Sequence, residues 1–266
     1  MPTIEIAEQD LHVTEKGSGD VLLVCPGNLH SSHAYGDEIS YFSNRFRVIS
    51  FDYPGTGRST RQVMYRDERE YDLWNYRADL ACHLLLALGI EGCFVLGAGG
   101  GALAALHFAG TQARLHGLSV RGVVADSFLA QLPSRALHRS LDRREHHYAR
   151  NAAALREQHG DDWRQVVDQD TAFLREMADR GGYGLPDFVL NAISCPVLLT
   201  GSLKDPLTPG VAGEYARISG IVPDCSLHLA STSGHRSGEE HPLMWTDPVS
   251  FRTVADLFVR RTGSVE

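Results

Sequence analysis

Four short stretches carry residue types from which chemistry could be built. The first is Phe94-Val-Leu-Gly97-Ala98-Gly99-Gly100-Gly101-Ala102, an apolar run that breaks into glycines and continues as small apolar residues. It reads as a strand, a tight turn and a helix, the setting in which backbone N–H groups become exposed to an anion. The second, Leu22-Leu-Val-Cys25-Pro26-Gly27-Asn28-Leu29, ends a similar run. The third, Pro196-Val-Leu-Leu-Thr200-Gly201-Ser202-Leu203-Lys204-Asp205-Pro206, places a carboxylate just beyond an apolar run, and the fourth, Ser231-Thr-Ser-Gly234-His235-Arg236, places an imidazole in a loop. The glycine-dense turn has competing readings. A dinucleotide fingerprint needs G-x-G-x-x-G early in the chain, and Gly97, Gly99 and Ala102 supply only the G-x-G-x-x-A form, well into the chain. A purely structural tight turn is the other.

The elements that must position these residues follow from hydrophobic patterning. Val21–Cys25, Phe46–Phe51, Cys93–Leu96, Val120–Ala125, Pro196–Thr200 and Cys225–Leu229 are short apolar runs that read as buried parallel strands. Tyr71–Leu88, Gly101–Gly110, Pro209–Ile218 and Pro248–Arg261 carry apolar residues at helical spacing between them. Such alternation predicts a parallel sheet covered on both faces, with Thr3–Ala7 and Leu11–Glu15 as an antiparallel hairpin at its edge. The charged, His-rich stretch from about Leu132 to Tyr183 interrupts the alternation and reads as two or three helices laid over the carboxyl ends of the strands. The expected division is a core of residues 1–130 and 190–266 with a helical cap of residues 131–189.

This arrangement resembles the α/β-hydrolase superfamily, a mostly parallel eight-stranded sheet flanked by helices, here with a helical cap insertion. The family's nucleophile elbow reads G-x-S-x-G in the same strand–turn–helix setting. Gly97 and Gly101 match its flanking glycines, where any Cβ would obstruct the approach of strand and helix. The nucleophile position then falls on Gly99. A side chain in that strained conformation costs about 1–3 kcal/mol, whereas glycine adopts it freely. Glycine therefore removes the attacking hydroxyl while relaxing the turn.

The resemblance implies roles for the other stretches. The backbone N–H groups of Asn28 and Gly100 would form the oxyanion hole, where each donor is worth roughly 3–4 kcal/mol; Pro26 stands where the family usually has His. Asp205 would orient and stabilise an imidazole, with Asp126 as the reserve acid. His235 is the expected catalytic His from its S-G-H context after the last strand, and His241 lies deeper into the next segment. The order nucleophile, acid, His is the one this fold uses. Asp52-Tyr-Pro-Gly55-Thr-Gly57-Arg-Ser59 looks like a structural turn of the family and is assigned no chemistry. His30, Ser127, Trp163 and Phe173 are the expected pocket-lining residues, Ser127 also being a conceivable substitute nucleophile.

Three functions fit: a hydrolase of a small ester, lactone or amide inactivated or strongly impaired by Gly99; an Asp205–His235 dyad working without a covalent step, as in lyases and cofactor-free oxygenases of this fold; and a non-catalytic binder. The expected partner is a small-molecule substrate or ligand. With a net charge of −8 and no basic stripe, nothing points to nucleic acid. No apolar stretch approaches the ~20 residues of a membrane helix, and the opening residues lack a signal-peptide pattern. Five cysteines without CxxC spacing suggest reduced core thiols and a cytoplasmic setting. No cofactor is expected, and no metal: the His residues are dispersed and the adjacent His146 and His147 point in different directions. Oligomeric state is left open.

Overall fold

The computed structural model describes residues 3–61, 72–231 and 241–263; the side chains at 143, 145–147 and 149 lie outside the description. A single sheet has eight strands: β1 (Thr3–Ile6), β2 (Gln9–Lys16), β3 (Val21–Cys25), β4 (Arg47–Phe51), β5 (Gly92–Ala98), β6 (Ser119–Asp126), and β9 and β10 (Val197–Ser202 and Cys225–Ala230). Their order is β1-β2-β4-β3-β5-β6-β9-β10. The first two strands pair antiparallel with each other, β2 runs antiparallel to β4, and all remaining pairs are parallel. The expected edge hairpin is therefore present.

The apolar runs work because successive strand residues face opposite ways. Leu23, Cys25, Val95, Ala125, Val197 and Leu199 join the core under α2 (Leu73–Ala87), α3 (Gly100–His107) and α9 (Val211–Ser219). Leu22, Val24, Leu96, Val124 and Leu198 join the opposite layer with α1 (Gly36–Phe42) and α11 (Pro248–Gly263). Both faces are dry, so both parities are apolar and the strands read as continuous runs. Asp72 caps α2, accepting the Trp74 N–H at 2.9 Å. Beyond α3 the chain continues through a wider π turn, Phe108–Gln112, into α4 (Ala113–Leu115), where the sequence pattern predicts a helix ending at Gly110.

After β6, a two-stranded ribbon of β7 (Gln131–Pro133) and β8 (Gly182–Gly184) encloses α5 (Ser134–Arg150), α6 (Ala152–His159) and α7 (Trp163–Asp179). The chain returns to β9 through α8 (Asp187–Asn191). The helical insertion meets the core at several points. His159 accepts the Gly57 N–H at Nδ1 (2.9 Å) and donates from Nε2 to the Leu29 carbonyl (3.1 Å), and Gln158 accepts the Ser31 N–H. The turn at Asp52 is structural, as expected: its carboxylate accepts the N–H groups of Ser32 (2.7 Å) and Arg58 (2.8 Å). A Cβ at Gly57, whose φ is +53°, would fall 1.9 Å from Asp52 Oδ2. The five cysteines are free thiols, four of them buried, and burial pushes Cys25 up to about 12. No helix among the described residues is long and apolar enough to cross a membrane.

Candidate active site

The turn between β5 and α3 is built by mutual exclusion of side chains. A Cβ at Gly97 would lie 2.1 Å from the Gly101 carbonyl oxygen, and one at Gly101 would lie 2.1 Å from that of Cys25 on β3. Neither position admits any other residue unless the backbone moves. At the apex, Gly99 has φ +55° and ψ −121°, and its N–H donates to the Asp126 carbonyl at 2.9 Å. Among the described residues, an ideal Cβ at Gly99 meets a single atom within 4 Å, Nε2 of His241, at 3.3 Å.

The other nitrogen of that ring, Nδ1, is 2.6 Å from Asp205 Oδ2. Asp205 follows β9, is buried, and has its second oxygen held by the Leu207 N–H at 2.8 Å. A carboxylate so fixed selects the tautomer with hydrogen on Nδ1, leaving the Nε2 lone pair toward Gly99. The imidazole that the structure brings to Asp205 is therefore that of His241, where the sequence pattern favoured His235; residue 235 lies outside the described residues. The physical reason is the anchoring of the chain immediately after His241. The N–H of Leu243 donates to Ser127 Oγ (2.8 Å) and that of Met244 to Asp126 Oδ2 (3.0 Å), so the end of β6 anchors the start of α10 (Leu243–Thr246) and with it His241, two residues earlier, beside Gly99.

Those contacts reassign two expected residues. Ser127 is fully buried with a left-handed backbone (φ +48°), and its hydroxyl donates to Asp126 Oδ1 while accepting from Leu243. Both its hydrogen-bonding directions are occupied, so it neither lines a pocket nor replaces a nucleophile. Asp126, the reserve acid, accepts from Thr200 Oγ1 (2.7 Å), Ser127 Oγ and the Met244 N–H; burial raises its carboxyl to about 6 against those bonds.

Beside Gly100, in the turn that follows β3, is Asn28. Its Oδ1 accepts from Trp74 Nε1 (3.1 Å) and Arg77 Nη1 (2.7 Å), both from α2. Two obligate donors fix which end of the carboxamide is oxygen. A Cβ at Gly100 would sit 2.2 Å from that oxygen, so a side chain there would displace the Asn28 carboxamide from its two donors. Among the described residues, neither the Asn28 nor the Gly100 N–H donates to a backbone carbonyl. Gly100 opens α3, where the first N–H groups have no partner within the helix. The imidazole of His241, the carboxamide of Asn28 and the opening residues of α3 thus lie around one turn.

The pocket-lining expectations divide. His30 packs edge-on against Trp245 at 5.1 Å, and burial lowers it to about 4. Trp163 is enclosed with Leu29, Leu155, Val166 and Val167, packing the helical insertion onto the residue after Asn28. Phe173 is half-buried on α7. Sequence reasoning placed His241 behind His235, and it missed Trp74 and Arg77. Trp74 and Arg77 stand three apart on a predicted helix, a visible pairing whose target, Asn28, was not.

The family model for the alpha/beta hydrolase fold matches residues 20–192. No curated protein sequence matches the chain. Among solved structures, a bacterial membrane phospholipase A superposes with a TM-score of 0.75 at 16% identity, covering 99% of this chain and 86% of its own. A serine-to-glycine mutant of an N-acyl homoserine lactonase, complexed with N-hexanoyl homoserine lactone, gives 0.70 at 20% identity over 100% and 99%. A malate-bound esterase from Thermogutta terrifontis gives 0.68 at 18% identity over 98% and 97%. With the elbow, the sheet order and a family match over about two thirds of its length, the chain belongs to the alpha/beta hydrolase fold family.

Proposed function

We propose that this chain is a hydrolase-fold protein that receives a small ester, lactone or amide at the Gly99 turn, and that glycine at the nucleophile position closes the acyl-enzyme route. The observation that carries this is the direction of the absent side chain: a Cβ at Gly99 points at His241 Nε2 from 3.3 Å, while Asp205 holds Nδ1 at 2.6 Å. The substrate carbonyl oxygen accepts from the N–H groups of Asn28 and Gly100. His241 Nε2 takes a proton from a water in the place of the missing hydroxyl, and the hydroxide attacks the carbonyl carbon. The tetrahedral oxyanion then collapses, and the imidazolium returns its proton to the leaving alcohol or amine. Loss of a nucleophile leaves about 10³–10⁴-fold acceleration over water from positioning and the oxyanion donors, so the chain is a strongly impaired hydrolase with a competent binding site. The solved lactonase and esterase support this substrate class. The α5–α7 helices act as a cap over a core of residues 1–130 and 190–266, with the β7–β8 ribbon as its neck.

A second reading rests on the same dyad. The 2.6 Å Asp205–His241 pair is complete without serine and suits proton abstraction with no covalent step, as in a lyase or cofactor-free oxygenase. A panel of esters and lactones, assayed on the present chain and on Gly99→Ser with His241→Ala as control, separates the two. Acceleration on introducing serine supports the first. Activity already high in the present chain, unchanged or reduced by serine and abolished by His241→Ala, supports the second.

A further inference from the structure

Further along α2 than the active-site contacts of Trp74 and Arg77, three metal-ligating side chains meet. Asp79 and His83 are one helical turn apart, the spacing that sets side chains above one another. His116 arrives from 37 residues after Asp79, at the end of α4. Its Nε2 is 2.7 Å from Asp79 Oδ1, and His83 Nε2 is 3.7 Å from Asp79 Oδ2. The two imidazoles stand edge to face with centroids 4.7 Å apart. One ligand atom from each of the three residues lies within 4.8 Å of the other two.

We propose that Asp79, His83 and His116 form a divalent transition-metal site, separate from the Asp205–His241 pair and taking Zn²⁺ or a cation of similar ligand preference. Tetrahedral coordination with 2.0–2.1 Å bonds separates ligand atoms by roughly 3.3 Å, a value the 2.7 and 3.7 Å separations bracket. The α2 backbone is held by the buried Ala78, Ala81 and Cys82 on its inner face, so the ligands start from a rigid frame. Two imidazoles and one carboxylate suit zinc, nickel or copper; magnesium and calcium prefer oxygen ligands throughout. All three side chains retain solvent contact, at 24% for Asp79, 46% for His83 and 20% for His116, which leaves the fourth position to water. A bound ion would tie α2 to the segment leading into β6. Dispersal along the sequence concealed the cluster, which the π turn and α4 assemble by carrying the chain back beside α2.

The test is a zinc titration of the chelator-treated full chain against a chromophoric chelator. It is run on the parent, on His83→Ala, His116→Ala and Asp79→Asn, and on His241→Ala. One equivalent of Zn²⁺ is expected in the parent and in His241→Ala, weakened at least about tenfold in each of the other three and not displaced by excess Mg²⁺. Zinc should also raise the melting temperature of the parent but not of His116→Ala. Because His83 is half-exposed, its alanine variant probes the site without disturbing the core. The proposal is overturned by a folded parent that takes up no zinc, by uptake unaffected in His83→Ala and His116→Ala, or by uptake lost in His241→Ala.

Discussion

Replacing Gly99 by serine tests the reasoning at its centre, because the structure defines both the cost and the gain. The cost is conformational. Gly99 has φ +55°, a region in which a side-chain-bearing residue loses about 1–3 kcal/mol. For a chain of this size that corresponds to a melting temperature lower by roughly 2–8 °C. Steric cost is small, since among the described residues the one atom within 4 Å of the new Cβ is His241 Nε2 at 3.3 Å. From that Cβ, a serine Oγ can stand about 2.8 Å from Nε2, the separation of a good hydrogen bond. The gain is catalytic. On the proposed mechanism, a serine hydroxyl at position 99 should raise kcat toward a cognate ester or lactone by a factor of at least about 10³, with about 10⁶ as the ceiling; this is about 4–8 kcal/mol of barrier. The assay is hydrolysis of p-nitrophenyl esters and acyl lactones by Gly99→Ser, with unfolding followed by circular dichroism. A folded Gly99→Ser with the expected loss in melting temperature and no faster turnover on any ester or lactone would refute the mechanism. So would acceleration that survives the added substitution His241→Ala.

Other expectations follow from the same geometry. Gly97→Ala should unfold or severely destabilise the chain, because its Cβ meets backbone at 2.1 Å, whereas Gly99→Ala should melt only a few degrees lower; thermal melts of the pair make the comparison. Asp126→Asn presents an amide where the Thr200, Ser127 and Met244 donors converge. It should cost about 1–3 kcal/mol by chemical denaturation and, in the Gly99→Ser background, lower kcat by displacing His241. Burial holds His30 down at about 4 from an unfolded value of 6.5, so its contribution is full above pH 6.5 and lost as pH falls toward 4. Asp126, raised to about 6, contributes with the opposite sign, favouring the folded state below pH 4 and losing that advantage as pH rises through 6. His30→Phe should therefore flatten the rise of stability between pH 4 and 6.5, measured by denaturation midpoints; an unchanged slope would remove His30 from the account.

Burial on both faces of a parallel sheet forces unbroken apolar runs, and close approach of strand and helix forces glycine. Those two constraints act locally, so β3, β5, β6 and β9, the glycines at 97 and 101 and the apex at Gly99 were all legible in the chain itself. The position of Asp205, in the turn that ends an apolar strand, was legible for a similar reason. The partner of Asp205 was not. Loop context pointed to His235, but what places His241 beside Gly99 is a pair of hydrogen bonds donated by the two residues that open α10 to Ser127 and Asp126, more than a hundred residues earlier. The same limit hid the hold of Trp74 and Arg77 on Asn28 and the meeting of His116 with Asp79. Hydrophobic period and backbone sterics are written in neighbouring residues; long-range polar contacts depend on which side chains the packed sheet and helices bring within 3 Å, and only the folded chain decides that.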